Sequence, residues 1–157
     1  MPLTYIAGLA RFGSQPGLER MTVLLEQLGH PQKKIPVIHL AGTNGKGSTA
    51  AIIAAVLQES GYQTGLYTSP HLMSFQERFT INGVPIMLDQ LNQLVQQVRP
   101  LIEEQSLICQ WGYPTQFEVA TLLAFLYFVN KVDVLVLETG LGGRLDATNI
   151  VRPELSI

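Results

Sequence analysis

Apolar residues recur along this chain with two periods, and each change of period marks an element. Leu18, Met21, Leu25 and Leu28 return at helical spacing as far as Gly29, which predicts an amphipathic helix with a glycine stop. After Pro36 the run "VIHLAG" reads as a short buried strand, and the segment beyond its glycine loop, "STAAIIAAVLQESG", reads as a helix. The alanines favour helix, Ile52, Ile53, Val56 and Leu57 supply an apolar face, and Gly61 offers a C-terminal cap. "QTGLYTS" predicts a second strand that breaks at Pro70, and "QERFTINGVPI" alternates about Asn82-Gly83 as a hairpin does. Leu91, Leu94, Val95, Val98, Leu101 and Ile102 form a helical stripe expected to kink or end near Pro100. Phe117 to Asn130 is apolar almost all round, the mark of a buried helix. It leads into "VDVLVLE", a continuous apolar strand of the kind buried in a parallel sheet. "RPELSI" reads as the start of a further strand.

Helices alternating with buried strands predict an α/β fold, a three-layer and mostly parallel sheet with flanking helices. With 157 residues one domain and one core are expected. A 46% apolar composition and a net charge of −2 supply no basic face to follow a nucleic-acid backbone, so nucleic acid is not an expected partner. The single cysteine, Cys109, has no intramolecular disulfide partner, fits a reducing compartment, and is expected to be a small buried apolar side chain. "MPLTYIAGLARFG" has neither a signal nor a transit pattern, and Val119 to Val129 is too short to span a bilayer, so a cytoplasmic protein without membrane contact is expected. No internal repeat or flexible linker divides the chain.

Candidate chemistry concentrates in the loops after the predicted strands. "GTNGKGST", Gly42 to Thr49, has the residue types of a phosphate loop but not the standard spacing G-x-x-x-x-G-K-[ST]. Glycines there let backbone N–H groups approach oxygen atoms, and the following helix presents its positive end. In that reading Lys46 neutralises phosphate charge, while Ser48 and Thr49 offer hydroxyls to phosphate or Mg²⁺. An ordinary turn capped by Asn44 or Ser48 is the alternative. Glu138 closes "VDVLVLE" at the expected carboxyl edge, where it either ligates Mg²⁺ or caps a solvent-exposed strand end. In "TSPHL", Ser69 could ligate a metal and His71 could meet a ring or a phosphate, or the stretch is a proline turn with a solvated histidine. His39 and His30 carry only that second reading, and Asp133 reads as ordinary surface. "ETGLGGRLDATN" offers close backbone approach at Gly140, Gly142 and Gly143, with Arg144 and Asp146 as fixed charges next to Glu138; the alternative is a surface loop built for turn formation, with Arg144 pairing with Asp146 or a neighbouring carboxylate. "TQFE" either caps a buried helix through Thr115 and Glu118 or contacts substrate.

Taken together, "GLERM", "HLAGTNGKGST", "GLYTSPHL", "ERFTINGVPI", "TQFEVATLLAF" and "LVLETGLGGRLDATNIV" resemble the folylpolyglutamate synthase and dihydrofolate synthase family, among the ATP-dependent ligases that include the Mur enzymes. The match covers most of the chain, and in this family the phosphate loop is itself a variant of the general one. The resemblance implies a P-loop NTPase-like sheet of the Mur ligase central-domain type, truncated, with residues 1–157 as an incomplete N-terminal ATP-binding domain. It implies ATP and Mg²⁺ as cofactors, and dihydropteroate or folates and L-glutamate as substrates. ATP would phosphorylate the pterin substrate's carboxylate, and glutamate's amine would attack the acyl phosphate to form an amide.

By motif, Gly45, Lys46, Gly47 and Ser48 correspond to ATP-phosphate contacts, with Thr43 and Asn44 shaping the loop. Ser69 and Glu138 correspond to Mg²⁺ ligands, and Lys46 and Glu138 to the groups closest to the chemistry. Thr115, Gln116, Phe117 and Glu118, with Leu145, Asp146 and Ala147, match stretches bordering the pterin site, and Gly17 and Leu18 match its opposite side. Gln116 stands where relatives commonly carry an aromatic residue. The family's downstream histidine, its carbamylated lysine and its C-terminal glutamate-binding domain have no counterpart before Ile157. This chain is therefore expected to have little ligase activity alone, and a monomer is expected. Two other readings use the same loop: a P-loop kinase or nucleotidase, and a non-catalytic nucleotide-binding module.

Overall fold

A computed structural model describes residues 2–108 and 110–157. The expectation for Cys109 lies outside them. A six-stranded sheet runs in the order β4-β3-β2-β5-β1-β6. Its strands are β1 (Val37–Leu40), β2 (Thr64–Tyr67), β3 (Phe79–Ile81), β4 (Val84–Pro85), β5 (Val134–Glu138) and β6 (Leu155–Ser156). β2, β5, β1 and β6 are parallel, and β3 and β4 add an antiparallel hairpin at one edge. The hairpin turns at Asn82 (φ 48°) and Gly83 (φ 75°), the two left-handed residues that a tight turn requires.

Among the described residues five α-helices accompany the sheet: α1 (Pro2–Gly8), α2 (Glu19–Gln27), α3 (Lys46–Glu59), α4 (Leu88–Ile108) and α5 (Gln116–Phe128). Leu135 and Leu137 of β5 belong to the main core, which α5 fills with Val119, Leu122, Leu123, Phe125 and Phe128, and to which α1, α2 and α4 contribute. Val136, pointing the other way, joins Leu40 and Ala50 in a smaller cluster under α3. The layers are therefore unequal.

α3 departs from expectation. Ile53 and Leu57 pack on the small cluster, but Ile52 and Val56 are 65% and 60% exposed, so the predicted apolar face is only half buried. Ala50 and Ala54 face the sheet below the helix, while Ile52 and Val56, like Ala51 and Ala55, are exposed on its outer side. Pro100 does not end α4, which continues to Ile108. Packing holds the helix together across that position, because Leu91, Val95, Val98 and Ile102 keep one buried stripe on both sides of the proline. Among the described residues no helix is long and apolar enough to cross a membrane.

Candidate nucleotide and substrate site

Register determines which loops meet. Leu40 pairs with Glu138, and Tyr67 with Leu137, so β1, β5 and β2 end at one rim with β5 in the middle. The glycine loop leaves β1, "TSPHL" leaves β2, and Glu138 terminates the strand between them. Loops at the carboxyl ends of parallel strands are where open α/β sheets hold ligands.

The glycine loop is exposed from Gly42 to Gly45. Gly45 precedes α3 with φ 77°, a left-handed conformation natural to glycine, and no side chain caps the helix. A turn capped by Asn44 or Ser48 is thus set aside. The first N–H groups of α3 lack intrahelical partners and point toward the rim with the positive end of the helix. Lys46 folds back over the loop and its Nζ donates to the Gly42 carbonyl at 2.9 Å.

Glu138 lies against this turn. It is buried, and a Cβ built on Gly47 would sit 3.6 Å from Oε1 and 3.8 Å from Oε2. The Ser69 N–H donates to Oε2 at 2.9 Å, while Oε1 has no hydrogen-bond partner among the described residues. A solvent-exposed strand cap is excluded by that burial. Lys46, Glu138 and Ser69 accordingly converge. Among the described residues no group of three or more His, Cys, Asp or Glu forms a metal cage. One unpartnered carboxylate oxygen beside a serine and an open glycine loop instead fits Mg²⁺, which takes few protein ligands and completes its shell with water and phosphate oxygens.

Next to this rim is a cleft of about 670 Å³. Its walls are residues 13–17, Ser69 and Pro70, Arg78, Thr115–Glu118, and residues 140–147. Gly17, Thr115, Gln116, Phe117, Glu118, Leu145, Asp146 and Ala147 all border it, whereas Leu18 does not and instead precedes α2. The Gly17 N–H approaches the Leu145 carbonyl at 3.5 Å, joining opposite walls. Phe117 is wedged so closely on Gly140 that a Cβ there would lie 2.5 Å from its Cζ.

Two carboxylates brace the cleft. Glu118 accepts from the Thr115 N–H at 2.7 Å while Thr115 Oγ1 accepts from the Glu118 N–H at 3.2 Å, a complete capping box. The same carboxylate receives Arg20 Nε at 3.0 and 3.1 Å, and Arg20 Nη2 donates to the Gln15 carbonyl at 2.7 Å. Capping and cleft lining are thus both true of Glu118. Asp146 does not pair with Arg144, which is exposed; it accepts from the N–H groups of Gly140 (3.0 Å), Leu141 (2.9 Å) and Thr148 (3.0 Å) and from Thr148 Oγ1 (2.6 Å). Those bonds shape the glycine-rich loop.

His39 is not solvated: it is buried, its Nε2 lies 2.8 Å from Thr148 Oγ1, and burial lowers its pKa below 6.5 against the opposing pull of Asp146. Burial raises the Tyr67 phenol to about 12, and its hydroxyl lies 3.3 Å from Thr121 Oγ1. His71 accepts from Arg78 Nε at 2.9 Å and meets the Phe75 ring edge-on. His30 stays half-buried beside Pro31, and Asp133 is exposed and accepts from the Gln63 N–H at 2.7 Å. Arg20 and Arg78 escaped the sequence reading. A polar position within an amphipathic helix and an arginine before a strand both read as solvent-facing, and no local pattern signals their burial.

A glycine loop opening a helix beside a buried carboxylate at the sheet's carboxyl rim is the arrangement with which α/β proteins hold phosphate groups, and a second cleft adjoins it here. No protein-family model matches the chain. It is 49% identical over 156 residues to the dihydrofolate synthase/folylpolyglutamate synthase of Bacillus subtilis, covering 98% of this chain and 36% of that protein. Folylpolyglutamate synthase of Mycobacterium tuberculosis complexed with ADP superposes with a TM-score of 0.91 at 37% identity, over 99% of this chain and 36% of that one. A folylpolyglutamate synthase complex with AMPPCP and folate gives a TM-score of 0.90 at 42% identity, over 99% and 38%. Over nearly its whole length the chain is similar to folylpolyglutamate synthases and dihydrofolate synthases, and it spans little more than a third of the length of these relatives.

Proposed function

We propose that the chain contributes the ATP-phosphate and pterin-binding part of an ATP-dependent amide ligase that adds L-glutamate to dihydropteroate, to folates, or to both. The observation that carries this is the adjacency of Lys46, Glu138 and Ser69 at one rim with a cleft bounded by Thr115–Glu118 and residues 140–147. Solved relatives bind AMPPCP, ADP and folate, and the relative with both AMPPCP and folate overlies this chain almost completely.

In this reading Thr43 and Asn44 shape the loop, and Gly45, Lys46, Gly47 and Ser48 hold the phosphates of ATP through N–H groups, the ammonium and a hydroxyl. Ser69 and Glu138 would hold Mg²⁺, which supplies neutralisation of phosphate charge. Gly17, Thr115, Gln116, Phe117, Glu118, Leu145, Asp146 and Ala147 form the walls that orient the pterin substrate. Its carboxylate oxygen attacks the γ-phosphorus as the bond to ADP breaks. Glutamate's amine then attacks the acyl carbon, loses a proton and expels phosphate. Alignment and charge neutralisation dominate such chemistry, which suits a helix terminus and a lysine. The glutamate-binding segment and the remaining metal ligands are assigned to sequence outside these 157 residues, and the assembled enzyme to a cytoplasmic monomer.

The test is product analysis with ATP, Mg²⁺, glutamate and either dihydropteroate or tetrahydrofolate. With the full-length protein, ADP release matched by amide formation supports the reading, and the preferred acceptor separates the two activities. A phosphorylated product without amide supports a kinase instead. The 157-residue chain alone is expected to bind AMPPCP but form little amide.

A further inference from the structure

We infer that Arg78 is an anion subsite of the cleft and holds the carboxylate that is to be activated; this rests on the ligase reading. Arg20 and Arg78 are the buried arginines among the described residues, at 8% and 9% exposure. They differ in one respect. Arg20 is neutralised by Glu118, whereas Arg78 has no ion pair among the described residues. Its partners are all neutral. Nε donates to His71 Nδ1 at 2.9 Å, which requires a lone pair on that nitrogen and leaves the imidazole proton on Nε2. The guanidinium lies over the Phe75 ring, 5.2 Å from its centroid, and faces the uncharged Tyr67 hydroxyl.

Buried cations are normally paired, because an uncompensated charge in low dielectric is costly. Arg78 lines the cleft, so that compensation has room to come from a ligand. The cleft's own carboxylates are engaged elsewhere: Glu118 by Arg20 and the Thr115 N–H, Asp146 by Thr148 and two loop N–H groups. Phosphate is the competing anion. The phosphate loop, residues 42–48, contributes nothing to the cleft wall that holds Arg78, whereas Ser69 and Pro70 of the same wall lead back to Glu138. A carboxylate bound at Arg78 is therefore in the cleft and on the side of the rim where ATP phosphates would arrive. The flat guanidinium matches carboxylate geometry, and its neutral partners hold it in place without cancelling its charge.

The test compares pteroate with its uncharged carboxamide, and AMPPCP as a separate ligand, by calorimetric titration of the protein and its Arg78→Gln and Arg78→Lys variants. The original protein is expected to prefer the acid about 10- to 100-fold, the range of a charge-assisted hydrogen bond. Arg78→Gln is expected to bind acid and amide within about twofold of one another, Arg78→Lys to show an intermediate preference, and AMPPCP affinity to stay unchanged in both. Persistence of the full preference in Arg78→Gln overturns the inference, as does a loss of AMPPCP affinity equal to the loss for pteroate. Should Arg78→Gln not fold, an undiminished preference in Arg78→Lys overturns it. Equal binding of acid and amide by the original protein refutes the Arg78 assignment alone; binding of neither form removes the ligase reading with it.

Discussion

Replacing Arg20 by Met isolates the interaction that ties two walls of the cleft. Arg20 and Glu118 side chains are 8% and 4% exposed, so solvent screens their pair little. Met preserves much of the side-chain volume but leaves the Glu118 carboxylate buried without its cation, a change that costs about 3 to 5 kcal/mol. Loss of the bond to the Gln15 carbonyl adds about 1 kcal/mol, and the apolar surface of Met offsets a similar amount. Against a total stability of roughly 5 to 15 kcal/mol this is severe. A second variant separates charge from packing. In Arg20→Met/Glu118→Gln the glutamine still completes the capping box, no charge remains buried, and the net loss is expected to be only about 1 to 2 kcal/mol. Urea unfolding with linear extrapolation, at constant slope, measures all three. A loss below about 1 kcal/mol for Arg20→Met, or a double variant less stable than that single variant, refutes the argument.

Gly140→Ala is expected to cost about 1 to 3 kcal/mol, because the new Cβ would meet the Phe117 ring at 2.5 Å, while Gly143→Ala, with only Ala41 Cβ at 3.8 Å, is expected to stay near neutral in thermal melts. His39 sets a pH dependence: its folded pKa lies below 6.5 because burial disfavours the imidazolium, so the unfolded chain takes up the proton first. The His39 contribution is complete above pH 6.5 and is lost as pH falls through the folded pKa; a His39→Gln variant should therefore show a flatter melting-temperature profile below pH 6.5.

Much of this site was legible because its signals are local. A glycine loop between an apolar strand and an alanine-rich helix, and a carboxylate at the end of "VLVLE", each carry their geometry in a few consecutive residues. The bordering stretches Thr115–Glu118 and Leu145–Ala147 needed the family resemblance to be joined to that loop. What escaped the sequence was non-local. Arg20 and Glu118 lie 98 positions apart, and their pairing depends on how α2 meets α5. His39 and Thr148 are 109 positions apart, so a strand histidine gave no hint that it steadies the Asp146 loop. The exposure of Ile52 and Val56 was equally hidden, because helical periodicity defines an apolar face without stating what covers it.

The central claim is that the Lys46 turn and Glu138 act together on magnesium-bound ATP. Titrating AMPPCP with and without Mg²⁺ into the protein and its Lys46→Ala and Glu138→Gln variants tests it most directly. Mg²⁺ is expected to tighten binding to the original protein about tenfold or more, Lys46→Ala to weaken binding under both conditions, and Glu138→Gln to remove the magnesium effect while keeping the metal-independent affinity. An undiminished magnesium effect in Glu138→Gln, or unchanged affinity in Lys46→Ala, contradicts the account.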